Sequence, residues 1–377
     1  MTKGQPIDSH RSVNHNPKIN KLFKTVVSYK ASDLHLKVGL PPKMRIDGVL
    51  KKMKADVLTE DSMEELIFDL LTEEQKKFFL KKGSIDFAHA LSEIDRFRVN
   101  VFRQKGYIGL VARRIDSNIP PFEKLNLPPI IRDIAEYPTG LVLVVGPTGS
   151  GKSTTIASMI DKINRERACH IVTIEDPIEY VHQDRKANVN QREVGIDCVD
   201  FKDALRSLMR QDPDVVLVGE IRDVETLEAA MQAAETGHLV FGTLHAASAS
   251  QTIQRILDMF PQEERELARQ TFALTVRGII AQMLLPSIDP TVKRVPALEI
   301  MVANPSVRKL LKEEREDDIP SVIRSSQNEG MQDLTESLRM LIEKELIDLD
   351  NALTYAPNKE ELRMAIKGIR ANSSAIL

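Results

Sequence analysis

The sequence predicts an α/β protein in which a smaller α+β region precedes a parallel-sheet domain and a mostly helical region closes the chain. Three observations carry this reading. Short apolar runs at Leu141–Val145, Ile171–Ile174, Val215–Val218 and Leu239–Leu244 alternate with helical patterning, which calls for a mostly parallel sheet with helices on both faces. Ahead of them, polar and apolar residues alternate in Asp33-Leu34-His35-Leu36-Lys37-Val38, as in a half-buried strand. Between the two regions, Ile119-Pro120-Pro121 to Leu127-Pro128-Pro129 carries four prolines, all within the ten positions from Pro120 to Pro129. Proline fixes φ and lacks a donor, so this stretch suits neither a helix nor a central strand and reads as a linker.

The elements follow in order. Residues 1–18 are rich in His, Asn, Ser, Lys and Pro and read as a disordered extension. A first domain spans 19–115. In it, Asp47-Gly48 separates Lys43–Ile46 from Val49–Met53, a hairpin signal because both turn positions tolerate positive φ. Leu58–Lys82 has a helical pattern, stopped by Gly83. Arg96–Arg103 and Tyr107–Ile115 read as two more strands joined through Gln104-Lys105-Gly106. The linker takes 116–129, the parallel-sheet domain 130–290, and a mostly helical region 291–377, with one more apolar run at Ala297–Val302 and helical patterns at Ser306–Arg315 and Leu334–Glu345.

At 377 residues the chain has room for two or three domains. Its net charge of −3 gives no basic excess for nucleic acid. Two cysteines, Cys169 and Cys198, exclude a disulfide scaffold and a four-cysteine zinc site within one chain. No apolar run approaches the ~18 residues of a membrane span, and the polar N-terminus lacks a signal region, so a cytoplasmic location is expected.

The chemistry concentrates after the linker. Gly146-Pro-Thr-Gly149-Ser150-Gly151-Lys152-Ser153 satisfies the phosphate-loop pattern between an apolar strand and a helix with Ile156, Met159, Ile160 and Ile163 on one face. The glycines let backbone N–H groups turn toward phosphate oxygens at a positive helix start. Lys152 would meet the β- and γ-phosphates, and the Ser153 hydroxyl would ligate Mg²⁺; Thr154 completes the loop. The expected cofactors are therefore ATP and Mg²⁺. Val215–Val218 ends in Gly219-Glu220, at the edge where open α/β sheets bind ligands. There Glu220 can activate the attacking water; the plainer alternative is a solvated helix-capping acid. Glu175-Asp-Pro-Ile-Glu179 puts three acids in five residues, a cluster that needs a cation nearby, such as Mg²⁺ on a nucleotide. His238 and His245 flank the last apolar run, roughly 23 Å apart along a strand, too far for one metal site. Most lone histidines are structural, but His245, at the carboxyl end, could sense the γ-phosphate. In Arg96-Phe-Arg98-Val-Asn100-Val, alternation buries Phe97, Val99 and Val101 and exposes Arg96 and Arg98. Such arginines are usually only solvated; with Arg113, the sharper reading makes them arginine fingers for a neighbouring subunit.

These blocks together resemble one family, the type IV pilus retraction (twitching motility) ATPases of the type II/IV secretion ATPase superfamily. The resemblance rests on Ser32-Asp-Leu-His-Leu36, Gly39-Leu-Pro-Pro42, Arg96–Asn100, Gly146–Thr154, Thr173–Glu179, Asn190–Glu193, Gly219-Glu-Ile-Arg-Asp223 and Thr236–His245, in family order. It implies a PAS-like N-terminal domain, a RecA-like P-loop motor domain and a homo-hexamer with ATP at subunit interfaces. It also implies a catalytic role for Glu220, a metal-associated acid at Glu179, histidine-box residues at His238 and His245, and interface arginines at Arg96, Arg98 and Arg113. Finally it implies an inner-membrane pilus platform protein as partner, so a peripheral position at that membrane, and pilus disassembly as output. Extension and type II secretion ATPases usually carry a tetracysteine insert that this chain lacks. Ser306-Val-Arg-Lys-Leu-Leu-Lys-Glu313 resembles a retraction-branch signature; elsewhere the chain departs from the family pattern at Ala112, where an aromatic residue is usual, at Ala246 after the second histidine, and in its polar extension. An accessory ring member that works through a partner motor is the competing reading; a P-loop protein acting on a small molecule is disfavoured, since nothing resembles a dedicated small-substrate pocket.

Overall fold

The computed structural model describes residues 17–92, 95–115 and 118–368. Residues 1–16 of the expected extension lie outside these. The chain divides into two compact units: Met1–Asn118 with Ile178–Val181 and Gly195–Val199, and Ile119–Pro177 with His182–Val194 and Asp200–Leu377.

The first unit contains α1 (Asn20–Ser28), β1 (Asp33–Lys37), β2 (Lys43–Ile46), β3 (Val49–Lys52), α2 (Glu60–Leu70), α3 (Glu73–Lys82), β4 (Ser84–Ala90), β5 (Arg96–Gln104) and β6 (Tyr107–Ile115). Its strands form one six-stranded sheet in the order β3-β2-β1-β6-β5-β4, every neighbouring pair antiparallel. Asp47 and Gly48 both take positive φ, 49° and 81°, as do Lys105 and Gly106 at 51° and 87°. Both hairpins therefore turn with the backbone twist that two-residue loops favour. On β5 the predicted alternation holds: Phe97, Val99 and Val101 are fully buried and Arg98 is exposed. Phe97 packs on Phe23 of α1 with ring centroids 4.5 Å apart.

Two expectations change here. The helix read over Leu58–Lys82 is two helices, broken at Leu71, which is extended. Thr72 opens the second: its hydroxyl accepts from the Gln75 N–H, and Gln75 Oε1 accepts from the Thr72 N–H. That reciprocal pair satisfies two helix-start donors and outcompetes a continuous helix. On β1, Asp33 is buried rather than solvent-facing, because two arginines pair with it, as described below.

In the second unit, α4 (Ile130–Ala135), β7 (Gly140–Val145), α5 (Lys152–Glu166), β8 (His170–Glu175), β9 (Asn188–Glu193), α6 (Phe201–Leu208), β10 (Val215–Val218), α7 (Val224–Glu235), β11 (Leu239–Leu244), α8 (Ala249–Met259), α9 (Arg265–Thr275), β12 (Val276–Pro286) and β13 (Arg294–Val302) build the sheet domain. After it come α10 (Pro305–Lys312), α11 (Ile319–Ser325), α12 (Leu334–Glu343), α13 (Leu349–Tyr355) and α14 (Lys359–Ile366). The seven-stranded sheet has the order β13-β12-β7-β11-β10-β8-β9. It is parallel throughout except for the edge strand β13. Every residue of β7, β10 and β11 is buried, as a strand covered on both faces requires. The sequence reading named neither β9 nor β12. Within the proline-rich stretch, Phe122 is buried in this unit's core, and the Pro120 carbonyl accepts a 2.5 Å hydrogen bond from Ser158 Oγ.

Register fixes what the sheet can present. Leu244 of β11 pairs with Val145 of β7, and Val218 of β10 pairs with Gly242 of β11 and Ile174 of β8. Two residues further on, Glu220 stands level with Leu244 on one side and Asp176 on the other. On the far side of β7, Ala281 pairs with Val145, so Gln282 stands level with Gly146. The carboxyl edge of one parallel sheet thus collects Gly146, Asp176, Glu220, His245 and Gln282.

Candidate functional site

The phosphate-loop glycines occupy backbone that other residues cannot. Gly146 has φ 150°, and a Cβ there would lie 2.2 Å from the Gln282 carbonyl oxygen. Gly151 has φ 89° and caps α5; a Cβ on it would lie 2.7 Å from Gln282 Nε2. Between them Gly149 also has positive φ, 80°. Past Gly151 the first turn of α5 carries the positive end of the helix dipole. Lys152 folds back over the loop, its Nζ donating to the carbonyls of Gly146 (2.8 Å) and Pro147 (3.1 Å). Ser150 is buried, and its Oγ has no hydrogen-bond partner. Ser153 and Thr154 follow on the half-exposed first turn of α5.

Gln282 was not singled out by sequence reasoning, yet it holds this loop. Its Nε2 donates to the Ser150 carbonyl at 2.7 Å, and its Oε1 accepts from Thr155 Oγ1 at 2.8 Å. Both bonds are buried. Gln282→Leu keeps the approximate shape and leaves both partners buried and unpaired, which costs about 1–3 kcal/mol for each such group. We expect a lower urea midpoint together with weaker nucleotide binding. Unchanged stability and affinity would mean that the loop holds its shape without this side chain.

Glu220 is positioned from both flanks. The Gly219 N–H donates to the Ile174 carbonyl at 2.8 Å and the Ile221 N–H to the Thr243 carbonyl at 2.9 Å, while Thr243 Oγ1 donates to the Gly219 carbonyl. The helix-capping alternative fails, because the cap of α7 is Asp223, which accepts from the Thr226 N–H at 2.8 Å. The Glu220 side chain instead meets two cationic or donor groups. Arg222 Nη2 donates to Oε2 at 2.6 Å, and His245 Nε2 lies 3.2 Å from Oε1. The hydrogen bond from Arg222 holds the Glu220 carboxyl below the usual carboxylate range, against partial burial, with help from the charges of Arg222, His245 and Lys152. Arg222 Nη1 lies 3.8 Å from Asp176 Oδ2.

The acid cluster splits. Glu175 is buried; its Oε1 accepts from Thr173 Oγ1 at 2.7 Å and from Gln191 Nε2 at 3.1 Å. Gln191 is thus a further residue to which the sequence reading gave no role. Glu179 is exposed and groups with the first unit. The two histidines also separate. His238 stands at the amino end of β11, its Nδ1 2.8 Å from the Ala233 carbonyl, at the opposite end of the strand from His245, and the structure does not bring it to Glu220.

In the first unit, Arg98 and Arg113 pair directly across β5 and β6. Arg113 Nε donates to Asp33 Oδ1 at 3.0 Å, and Arg45 Nε lies 3.5 Å from Asp33 Oδ2. Arg96 has a buried Nε without a hydrogen-bond partner. Among the described residues, no group of three or more His, Cys, Asp or Glu could hold a metal ion, and no helix is long and apolar enough to cross a membrane.

The family model described as type II/IV secretion system protein matches residues 9–347. The chain is 44% identical over 334 residues to the type IV pilus retractation ATPase PilT of Pseudomonas aeruginosa, covering 89% of this chain and 96% of that one. It is 42% identical over 321 residues to a twitching motility protein of Neisseria gonorrhoeae, covering 85% and 86%. Among solved structures, the crystal structure of the pilus retraction motor PilT with bound ADP superposes with a TM-score of 0.85 at 43% identity, covering 92% of this chain and 99% of that one.

Proposed function

The chain belongs to the type II/IV secretion system protein family and is an ATPase, and from that premise we propose that it is the motor that retracts type IV pili and so drives twitching motility. The observation that carries this reading is the carboxyl edge of the seven-stranded sheet. There the phosphate loop, Glu220, Asp176 and His245 are brought level by strand register. The finer fold follows as a proposal: a PAS-like first domain over 19–115, a linker over 116–129, a RecA-like motor over 130–290 and a helical region over 291–377.

In this reading the N–H groups of Gly149–Thr154 cradle the phosphates of ATP. Lys152 exchanges its two carbonyl acceptors for phosphate oxygens, which are charged and stronger acceptors. The Ser153 hydroxyl is a hard oxygen donor on the first turn of α5, the kind that suits Mg²⁺. Bound there, Mg²⁺ would neutralise charge on the β- and γ-phosphates. Glu220 accepts the proton of the attacking water, His245 stands at the γ-phosphate end beside it, and His238 serves structurally at the other end of its strand. The working assembly is a homo-hexamer in the cytoplasm. It docks at the inner membrane on a pilus platform protein, and Arg96, Arg98 and Arg113 serve the neighbouring subunit.

Two experiments test the reading. Lys152→Ala removes the side-chain cation of the loop and should weaken MgATP binding by at least tenfold, the loss of about one charge-assisted hydrogen bond; near-normal affinity and turnover would remove the phosphate-loop assignment. Deleting the gene should leave cells with surplus pili and no twitching. Cells without pili would instead indicate an extension motor, and cells with unchanged pili an accessory one.

A further inference from the structure

Glu220 carries the water-activating role proposed above, yet both its oxygens are engaged. One faces His245 at 3.2 Å and the other accepts the 2.6 Å bond from Arg222. A carboxylate tied to a guanidinium is a poor proton acceptor, because the ion pair favours the charged form that proton transfer would discharge. The same guanidinium has a second carboxylate within reach. Arg222 Nη1 is 3.8 Å from Asp176 Oδ2, just beyond hydrogen-bond distance. Register sets this spacing, because Asp176 and Glu220 each lie two residues past the paired Ile174 and Val218 on adjacent parallel strands.

The surrounding backbone is held while the side chain is not. Ile221 is buried and bonded to Thr243, and Asp223 caps α7, so Arg222 is fixed at its Cα from both sides. Its side chain is 59% exposed, against 23% for Glu220 and 36% for Asp176. An exposed guanidinium with five donors can exchange one carboxylate for the other by rotation about its own bonds. Ion pairs of this exposure are weak, so the bond to Glu220 does not trap it.

We propose that Arg222 is a positioning residue that alternates between Glu220 and Asp176, holding the catalytic carboxylate idle in the first position and freeing it in the second. This rests on the assignment of Glu220 above. Asp176 is then the counter-ion of the released state rather than a participant in the chemistry. Arg222 acts only through Glu220 and touches no reacting atom.

The test uses the full-length protein and steady-state MgATP hydrolysis. Asp176→Asn removes the alternative partner, so Arg222 stays on Glu220. We expect kcat to fall about two- to fivefold, the range of a weak ion pair, with KM within about twofold of wild type. Asp176→Glu restores a carboxylate and should recover at least half of the lost turnover. The decisive variant adds Arg222→Gln to Asp176→Asn. With the clamp gone Glu220 is free, so the double variant should turn over faster than Asp176→Asn alone. A double variant no faster than Asp176→Asn overturns the proposal, as does an Asp176→Asn protein with wild-type kcat. Both results leave the ATPase reading intact, because wild-type turnover is measured beside them; a wild type without turnover removes both.

Discussion

Glu220→Gln will bind MgATP about as tightly as the wild type and turn it over at least ~10²-fold more slowly. The amide matches the carboxylate in shape, so the backbone clamps at Gly219 and Ile221 remain. What is lost is the ability to take a proton from water. A 10²-fold loss corresponds to about 2.7 kcal/mol of barrier, well above what one neutral hydrogen bond contributes in an exposed site. The substitution also removes the charge that Arg222 and His245 face. The melting temperature should be measured beside the rates, because a partly exposed ion pair contributes little to stability. Binding and unfolding should both remain near wild type while kcat collapses. A rate within about threefold of wild type would place the base elsewhere in the acid cluster.

The carboxyl edge of the sheet was the most legible part of the sequence, and the physical reason is that several local signals agree there. Runs such as Val215-Val-Leu-Val218 have no polar residue to expose, so they had to be central parallel strands. Every catalytic candidate directly after such a run then had to share one edge. The glycine pattern of Gly146–Gly151 is equally local, because its positive φ values exclude other residues.

What escaped the reading depends on partners distant in sequence. Gln282 acts on Ser150 and Thr155, more than a hundred residues away, and nothing beside it marks it. It lies on β12, which follows α9 directly as Thr275 passes into Val276, so the change from helix to strand leaves no punctuation. Strand β9, Asn188-Val-Asn-Gln-Arg-Glu193, is a polar edge strand beside β8 and lacks the apolar run that exposes central strands to pattern reading. The break at Thr72 was legible in principle, since Thr72-x-x-Gln75 is a capping box, but the apolar periodicity runs through it. Arg222 sat inside a recognised block; its pairing with Glu220 needed coordinates.

Catalysis should require a neighbouring subunit, with Arg98 completing that neighbour's nucleotide site. The electrostatics of the first unit's sheet motivates this. Register aligns Arg45, Asp33, Arg113 and Arg98 in one row across four strands. Two guanidinium groups share a single buried carboxylate there, and Arg98 stands directly opposite one of them; like charges so placed are destabilising unless an anion joins them. Arg113 already has Asp33, whereas Arg98 is exposed with no ion-pair partner among the described residues, so Arg98 is the better probe. Removing Arg113 would take the nearer of two cations from a buried aspartate and confuse a stability loss with a catalytic one. An arginine finger contributes ~10³-fold or more to phosphoryl transfer, so Arg98→Ala should be nearly inactive while binding MgATP normally. A ring closed by one repeated head-to-tail contact sets each base against the arginine of the next subunit. Equal mixing of Glu220→Gln and Arg98→Ala subunits then gives about a quarter of the interfaces an intact base and an intact arginine. The mixture should therefore regain turnover well above either component. If co-assembly is verified by mass and the mixture stays as inactive as its parts, Arg98 acts within its own chain or holds the sheet together, and the in-trans assignment falls.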